Sequence, residues 1–431
     1  MDHFQSNMAV IASRWPKIAE VIHEKLTGEP LAWRTGTPES TLVFSGIHLT
    51  SAYNRGHEAA LQATLIPDES REGTVYGVAL GDLQRALLGR ESLCRLRVVI
   101  MNPSVAATCL AAASHDDWLE DDRISLHLGS EEDDISMPFA AAPATLHLAS
   151  DDCLVLRDRI AQALASPFES HHFRQLDAVL DARLEENISF VKNDGDVFSL
   201  YGKATGKPVV VVAAGPTAES QFEWMRSKRP EQCVLVVSTA LSPLLSAGIV
   251  PDAVLVIDPK DEILDHFEHI DREALRHVPL VYLPTVRADV LNAWPGPRLT
   301  AYIKRERFER IRKTYPKGVL HCEGTVTHVA VDLAVRMGAS SIILVGTDFS
   351  FPEHTTHLVG AAHRRHVDDA NTGSAPEVIN GYGARNISRP DMVGFLRALE
   401  KYIAVHDEVT FFNTGRAGAD IAGTVWLDGR G

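Results

Sequence analysis

Residues Lys207–Thr217, with the sequence KPVVVVAAGPT, form an apolar run that ends in Gly-Pro-Thr. The residues Val209–Ala213 are apolar and mostly β-branched, which is typical of a strand buried on both faces of a parallel sheet. Gly215 allows close approach of a ligand to the backbone, Pro216 presets the first helical turn, and Thr217 supplies a hydroxyl group. The stretch predicts a strand, a turn and a helix whose first amides can bind an anion or a sugar phosphate. A plain strand-to-helix turn with an N-cap is the simpler interpretation.

Further apolar runs follow in the C-terminal half, and each ends in small or acidic polar residues. Helical spacers separate them, so the order is strand, helix, strand throughout. This order predicts a doubly wound parallel sheet, in which ligands bind beyond the carboxyl ends of the strands. The runs are CVLVVST (Cys233–Thr239), AVLVIDP (Ala253–Pro259), PLVYLPT (279–285) and SIILVGTDFS (Ser341–Ser350).

Polar side chains at these strand ends are expected to surround one pocket, because the carboxyl ends of parallel strands meet at one edge of a sheet. Buried carboxylates need partners, so Asp258 and Asp348 are expected to face this pocket or to accept backbone hydrogen bonds beside it. The other members of the set are Ser238 and Thr239 after the second run, and Thr325 and Thr327 in the segment Gly324–Thr327 that precedes the last strand's helix.

The segment after Asp348 is rich in His, Gly and Arg. Such a polar segment after a strand end is where a catalytic lid can form. A histidine there can accept a proton from a hydroxyl group, and Arg364 and Arg365 can neutralise a phosphate or a carboxylate. A zinc site is the alternative, but the spacing matches no familiar ligand pattern, so no metal is predicted. Its ligands would be His354, His357, His363 and His366 with Asp348.

The N-terminal half shows a related pattern of strand, glycine turn, helix and strand. Rossmann-type binders carry Asp or Glu after the second strand to hold ribose hydroxyls, whereas Asn102 and Pro103 stand there. We therefore predict a structural or docking role rather than a methyltransferase or dinucleotide site. The predicted strands include Thr41–Leu49, the region 58–67, the start of 73–89, the start of 95–104, and Ala144–Ser150.

These patterns predict an α/β protein with two Rossmann-like doubly wound parallel-sheet domains joined by a helical segment. The boundaries are placed at 1–150 for the N-terminal domain, 151–205 for the helical linker and 206–431 for the domain with the predicted strand-end pocket. Two helices are predicted between Asp151 and Asn187.

The composition excludes some classes of binding partner. The 431 residues carry a formal net charge of −15, which argues against binding along nucleic acid or anionic lipid. The N-terminus has no signal-peptide pattern and no apolar stretch is long enough for a membrane span, so a cytoplasmic location is expected. The scattered cysteines are expected to be buried thiols; Cys322, beside His321 and Glu323, is the one conceivable nucleophile.

Several motifs taken together resemble the motility accessory factor (Maf) family of flagellin glycosyltransferases. The resemblance implies transfer of a nonulosonic acid, such as pseudaminic or legionaminic acid, from a CMP-activated donor to Ser or Thr of flagellin. It implies no required metal or cofactor, and a homo-oligomer is compatible with it. The motifs are VVVVAAGPT, VVSTALSPLLSAGIVPDAVLVIDP with His266-Phe267, EGTVTHVAVDLAVRMGASSIILVGTDFSF with THLVG, FFNTGRAGADIAGT, and LTSAYNRGHEAAL with VYGVALGDL.

The central part is also similar to bacterial sialyltransferases, which have a Gly-Pro-Ser nucleotide loop. By this resemblance Asp348 lies at the reacting end. The sialyltransferase histidine precedes the helix that here begins near Asp391, where this chain has the segment 383–386, so His357 is the proposed substitute base. Gly215, Pro216 and Thr217 would hold the CMP phosphate or ribose, Ser238, Thr239 and Asp258 would line the nucleotide and sugar, and Thr325 and Thr327 would cradle the donor.

Two other functions remain open. The Gly-Pro-Thr and Asp-Pro pattern also resembles the 6-hydroxymethylpterin diphosphokinase MptE-like group, which would use ATP with Mg²⁺ held by Asp258 and Asp348. No P-loop sequence is present to support the usual mode of ATP binding. The third possibility is a non-catalytic flagellin-binding motility factor, which would bind flagellin but no nucleotide.

Overall fold

The computed structural model describes residues 3–25, 32–35, 39–268, 270–367 and 375–427. The chain divides into two compact units, Met1–Ala165 and Ser166–Gly431. Each unit is built on a parallel sheet with helices, which confirms the predicted α/β class. In the described ranges, no helix is both long and apolar enough to cross a membrane.

The first unit contains a parallel sheet with the strand order β6-β5-β4-β7 and a separate antiparallel sheet, β1-β2-β3. The strands are β1 (Ala32–Thr35), β2 (Ser40–Phe44), β3 (Ile47–His48), β4 (Glu72–Tyr76), β5 (Arg95–Ile100), β6 (Ile124–Leu128) and β7 (Phe139–Ala141). The helices are α1 (His3–Arg14), α2 (Pro16–Glu24), α3 (Arg55–Ala63), α4 (Asp82–Leu88), α5 (Pro103–Ala112), α6 (Asp116–Leu119) and α7 (Pro143–His147), and α8 (Leu154–Glu186) continues into the second unit.

Several predictions for this half were wrong. The region 58–67 falls largely in helix α3, because the Asn54 side chain caps that helix by accepting a hydrogen bond from the His57 amide at 2.8 Å. Ala144–Ser150 contains helix α7, and the strand precedes it as β7. The two helices predicted between Asp151 and Asn187 are mainly the single helix α8 of 33 residues. In the first two cases a short apolar run in a helix was taken for a strand.

Asn102 stands where Rossmann-type binders carry the acid that binds ribose, and its role here is structural. Its side chain accepts a hydrogen bond from the Ser104 amide at 2.9 Å and donates one to the Leu148 carbonyl at 2.7 Å. It thereby caps helix α5 and ties the end of β5 to the segment after α7.

The second unit contains one parallel sheet with the strand order β20-β19-β16-β9-β10-β11-β12-β13-β8 and two small two-stranded sheets, β14-β15 and β17-β18. The strands are β8 (Gly195–Asp196), β9 (Pro208–Val212), β10 (Cys233–Val237), β11 (Ala253–Val256), β12 (Leu280–Tyr282), β13 (Arg298–Thr300), β14 (Tyr302–Ile303), β15 (Val319–Leu320), β16 (Ser341–Val345), β17 (Glu377–Ile379), β18 (Arg385–Ile387), β19 (Thr410–Asn413) and β20 (Val425–Trp426). The helices are α9 (Ile188–Asn193), α10 (Phe222–Lys228), α11 (Ser238–Ser246), α12 (Ala288–Ala293), α13 (Glu306–Thr314), α14 (Val326–Arg336) and α15 (Pro390–Ala404).

Strand β9 is an interior strand of this sheet, between β16 and β10, and is buried on both faces. Val209 and Val211 belong to one apolar core, and Val210 and Val212 belong to the core on the opposite face. All four side chains are fully buried. This explains the continuous apolar sequence, since a strand covered on both sides has no polar face.

The order of the strands creates a topological switch point beside β9. From β9 the chain proceeds through β10, β11 and β12 in one direction, whereas β16 pairs with β9 on its other side. In open parallel sheets the crevice at such a reversal, beyond the carboxyl ends of the strands, is the usual ligand site. The ends of β9 and β16 carry Gly215–Thr217 and Asp348.

Candidate active site

A buried carboxylate joins the ends of β9 and β16. Asp348 is 4% exposed, and its Oδ2 accepts a hydrogen bond from the Thr217 amide at 3.0 Å. The Thr217 hydroxyl donates a second hydrogen bond, to Oδ1. The Thr217 amide predicted to be available for an anion is therefore occupied by Asp348. This carboxylate caps the short 3-10 helix Pro216–Gln221 from a distant part of the chain.

Three glycines enclose this carboxylate. A Cβ atom at Gly215 or Gly418 would collide with Asp348, and one at Gly415 would collide with the Thr217 hydroxyl. Burial raises the pKa of Asp348 to about 6, and the two hydrogen bonds from Thr217 only partly oppose this rise. The structure therefore places Asp348 in a closed polar contact that positions the Gly-Pro-Thr turn.

A second polar group lies at the ends of β10 and β11. The buried Ser238 hydroxyl is 3.2 Å from Nδ1 of His266, which comes from the 3-10 helix Asp261–Phe267. Burial, together with the neighbouring His363, lowers the pKa of His266 to about 4, and the carboxylate of Asp258 opposes this effect. His266 is therefore neutral at pH 7.

Asp258 is half-buried and holds the turn that follows β11. It accepts a hydrogen bond from the Lys260 amide at 2.9 Å, and the Lys260 ammonium group lies 3.6 Å from its other oxygen. Asp258 and Lys260 thus present a carboxylate and a cation at the carboxyl edge of the sheet. Thr239 follows Ser238 in the first turn of α11 and is half-buried.

The histidine-rich segment after β16 reaches this same group. The amide of Leu358, directly after His357, donates a hydrogen bond to the Ala214 carbonyl at 3.0 Å, which places the segment against the end of β9. Further along, the His363 ring lies 5.5 Å from the His266 ring and 3.7 Å from the Asp265 carboxylate. Burial is the main cause that lowers the pKa of His357, and a hydrogen bond to the His363 backbone partly opposes this effect. The segment therefore brings His357 and His363 to His266.

The backbone of this segment is strained where it leaves the sheet. Phe349, Glu353 and His354 all have positive φ angles, of 44°, 51° and 56°. Such conformations cost energy in residues other than glycine and are concentrated at functional sites. The Ser388 hydroxyl holds the strained turn by donating a hydrogen bond to the Phe349 carbonyl at 2.6 Å.

Asn386 occupies the region where the sialyltransferase base was expected. Its side-chain amide donates hydrogen bonds to the Ser350 hydroxyl at 3.2 Å and to the Ala417 carbonyl at 2.5 Å. It joins the strained segment to the glycine-containing loop after β19. In this arrangement Asn386 positions backbone and supplies no proton acceptor of its own.

The threonines before helix α14 form a helix N-terminus. Thr325 is the N-cap, and its hydroxyl accepts a long hydrogen bond of 3.5 Å from the Thr327 amide. Thr327 itself is buried, as is His328, whose pKa is lowered to about 4 by burial. Burial raises the pKa of the Cys322 thiol in this region, which disfavours the thiolate that a nucleophile would need.

Two buried polar atoms near the switch point have no hydrogen-bond partner in the described part of the chain. They are the Thr347 hydroxyl, beside Asp348, and the side-chain carbonyl oxygen of Gln221, at the end of the Gly-Pro-Thr 3-10 helix. Buried polar atoms are normally paired, so such atoms at a crevice are candidates for ligand contacts. Thr347 lies in the predicted strand-end sequence SIILVGTDFS, whereas Gln221 was missed because it lies in no recognisable motif.

Across the described residues, no group of three or more His, Cys, Asp or Glu side chains is arranged to hold a metal ion. The proposed zinc ligands do not form such a group, although the His354 and His366 rings approach to 6.0 Å.

Comparison with known proteins bears on the same region. Residues 182–354 match the family described as 6-hydroxymethylpterin diphosphokinase MptE-like. This part of the chain is therefore similar to the MptE-like family. The matched region runs from the end of α8 to the strained segment after β16, so it includes Gly215, Ser238, Asp258 and Asp348.

Among solved structures, the chain is similar to one titled "Structure of MAf glycosyltransferase from Magnetospirillum magneticum AMB-1". The TM-score is 0.48 at 15% sequence identity, and the match covers 100% of this chain and 75% of that one. No curated protein matches the sequence.

Proposed function

We propose that the protein is a glycosyltransferase that moves a nonulosonic acid from a CMP-activated donor to a Ser or Thr hydroxyl of flagellin. The observation that supports it best is the pair of histidines with lowered pKa, His266 and His357, beside Ser238 and Asp258, next to the switch point of a parallel sheet. This group offers a proton acceptor at the edge of the sheet where nucleotides bind. The motif resemblance to Maf proteins supplies the donor and acceptor classes.

In this proposal His357 is the general base. Burial lowers the pKa of both His357 and His266, so at pH 7 these two rings start neutral and His357 accepts one proton from the attacking hydroxyl. Asp258 and Asp265 then stabilise the positive charge that forms on the group. The base need not be strong, because the donor bond is already largely broken in an oxocarbenium-like transition state.

The departing CMP phosphate requires positive charge and amide donors. Lys260 is exposed beside Asp258, and the N-termini of α11 and α14 present backbone amides near Ser238 and Thr325. A monophosphate carries less charge than a diphosphate, so these groups suffice without a metal ion. Asp348 acts in this proposal as a positioning residue that fixes the Gly-Pro-Thr turn against the donor.

The proposal is tested by incubating the protein with flagellin and a CMP-activated nonulosonic acid and measuring the intact mass of flagellin. We expect a mass increase of whole sugar units with the wild-type protein. His357→Gln should slow transfer by about 10²- to 10⁴-fold while donor binding persists. The exposed His277 provides the matched control, His277→Gln, which should transfer normally. Near-normal transfer by His357→Gln would assign the base to His363.

Similarity to the MptE-like family favours a second candidate, an ATP-dependent diphosphokinase. It would need Mg²⁺ on Asp258 and Asp348, yet both oxygens of Asp348 accept hydrogen bonds from Thr217 in an enclosed site. The residues as placed do not fit that metal. Thermal unfolding separates the candidates: a ligand at 10 times its Kd adds about 1.4 kcal/mol, or about 3–6 °C. A shift with CMP supports the glycosyltransferase, and a shift with ATP and Mg²⁺ alone supports the kinase.

A further inference from the structure

A cavity of about 530 Å³ lies in the first unit, far along the chain from the residues discussed above. Its lining is polar and includes Arg34, His48, Thr50, Ser51, Tyr53 and Glu58. A narrower pocket adjoins it, since the two share Leu49, Thr50 and Glu58, and extends to Gly77–Ala79 after β4 and to Ala142 after β7. The cavity and this pocket together form the first-unit crevice.

The topology of the first sheet places the first-unit crevice at a switch point. From β4 the chain proceeds to β5 and then β6 on one side, and β7 pairs with β4 on the other side. The strand order therefore reverses between β4 and β7, and the crevice is lined by the loops that follow these two strands. This is the position at which open parallel sheets bind ligands.

The loop after β4 is also conformationally unusual. Ala79 has a φ of 45°, between Gly77 and Gly81 at 105° and 82°. An alanine in this conformation is strained, and such strain often marks functional loops. No sequence motif pointed to this loop as a binding site.

The charges around the crevice are balanced. Arg55 donates two hydrogen bonds of 2.9 Å to the carboxylate of Asp82, so its charge is largely neutralised. Arg34 donates a hydrogen bond to Nε2 of His48 at 3.1 Å. The Glu58 carboxylate accepts a hydrogen bond from the Ser51 amide at 2.6 Å. The lining therefore carries two guanidinium groups and two carboxylates, which disfavours a polyphosphate and favours a ligand that both donates and accepts hydrogen bonds.

An aromatic ring stands at the rim of the crevice. Tyr53 is 77% exposed, and its backbone is held in place because the Ser51 hydroxyl accepts hydrogen bonds from the amides of Tyr53 and Asn54 at 3.1 and 3.2 Å. An exposed ring beside a polar crevice offers an apolar face that a ligand in the crevice can cover. The apolar face of a sugar ring can cover an aromatic ring in this way, while its hydroxyl groups bond to paired carboxylate and guanidinium groups.

We propose that the first-unit crevice binds a saccharide. Its ring stacks on Tyr53, its hydroxyl groups exchange hydrogen bonds with Glu58 and Thr50, and Arg34 donates hydrogen bonds to a carboxylate where the sugar carries one. The site is separate from the donor site of the second unit and does not depend on the proposed transfer reaction.

The test uses the full chain and ligand-observed NMR with calorimetry, with N-acetylglucosamine, N-acetylneuraminic acid and AMP as probes. Both sugars should bind the wild-type protein. Tyr53→Ala should weaken both by about threefold to tenfold. Arg34→Ala should weaken the acidic sugar by about tenfold and the neutral sugar much less. Matched controls are Tyr382→Ala, an aromatic residue with 72% exposure, and Arg95→Ala, whose side chain is 67% exposed; both should bind normally.

Sugar binding that is unchanged in Tyr53→Ala, or absent up to about 20 mM, overturns the proposal. Tighter binding of AMP than of either sugar, lost in Arg34→Ala, overturns the saccharide class and assigns a nucleotide to the crevice. Failure of CMP to bind the second unit would refute the proposed transferase but would leave these results unchanged.

Discussion

Replacing Asp348 by asparagine tests whether the enclosed carboxylate is held at an energetic cost. Burial raises its pKa from 3.8 to about 6, which corresponds to about 3 kcal/mol against the ionised form in the folded protein. Asparagine has nearly the same shape as aspartate. Its side chain can accept a hydrogen bond from the Thr217 amide and donate one to the Thr217 hydroxyl oxygen. Asp348→Asn should therefore stabilise the protein at pH 7.5, by up to about 3 kcal/mol.

The pH dependence follows from the same shift. The pKa of Asp348 is higher in the folded protein than in the unfolded chain. Its favourable contribution to the free energy of unfolding is therefore complete below pH 3.8 and is lost as the pH rises through about 6. The advantage of Asp348→Asn over wild type should thus be largest above pH 6 and fall to about half at pH 5.

The assay is urea unfolding followed by circular dichroism at pH 5 and 7.5. Asp332 provides the matched control: it is 3% exposed, but it accepts hydrogen bonds from Arg336 at 2.7 Å and Tyr402 at 2.8 Å. Asp332→Asn removes one partner of an ion pair and should destabilise the protein. If Asp348→Asn is instead less stable than wild type at pH 7.5, the negative charge is required and the reasoning from burial fails.

Three further predictions concern the same region. Thr217→Val removes the hydroxyl that donates to Asp348 and should cost about 1–3 kcal/mol of unfolding free energy in urea. Gly418→Ala places a Cβ atom 2.6 Å from Asp348 Oδ1 and should cost about 1–3 kcal/mol, whereas Gly56→Ala, with its nearest atom at 3.8 Å, should change stability by less than about 1 kcal/mol. The pKa of His266 in the folded protein is about 4, so its contribution to the free energy of unfolding is present above pH 6.5 and is lost as the pH falls towards 4. In His266→Asn the urea midpoint should therefore change less between pH 4 and pH 6.5 than it does in the wild-type protein.

The sequence was sufficient to predict the parallel sheet of the second unit, because strands buried on both faces appear as continuous apolar runs. The sequence also predicted that Gly215, Ser238, Asp258 and Asp348 lie at one edge of the sheet. They do so because each follows a strand of the same parallel sheet. Their roles in binding and catalysis remain predictions. The same reasoning failed for the region 58–67, where a helix cap outside the apolar run decided the structure.

The partners of the site residues could not be predicted. The contact between Thr217 and Asp348 joins residues 131 positions apart, and only the tertiary structure shows that it consumes the amide expected to bind an anion. His266 appeared only as part of a family motif, since its approach to Ser238 depends on a 3-10 helix with no strong sequence signal. The crevice of the first unit was missed because its lining is dispersed over several elements.

The valines of β9 have a consequence for how this strand is aligned. Both of its faces are apolar, so a slip of one residue would exchange the two sets of valines at little hydrophobic cost. Such a slip would carry Thr217 away from Asp348 and leave a buried carboxylate without its donors. Hydrophobicity thus places β9 in the interior of the sheet, and the polar contact between Thr217 and Asp348 favours one register of the strand over its neighbours.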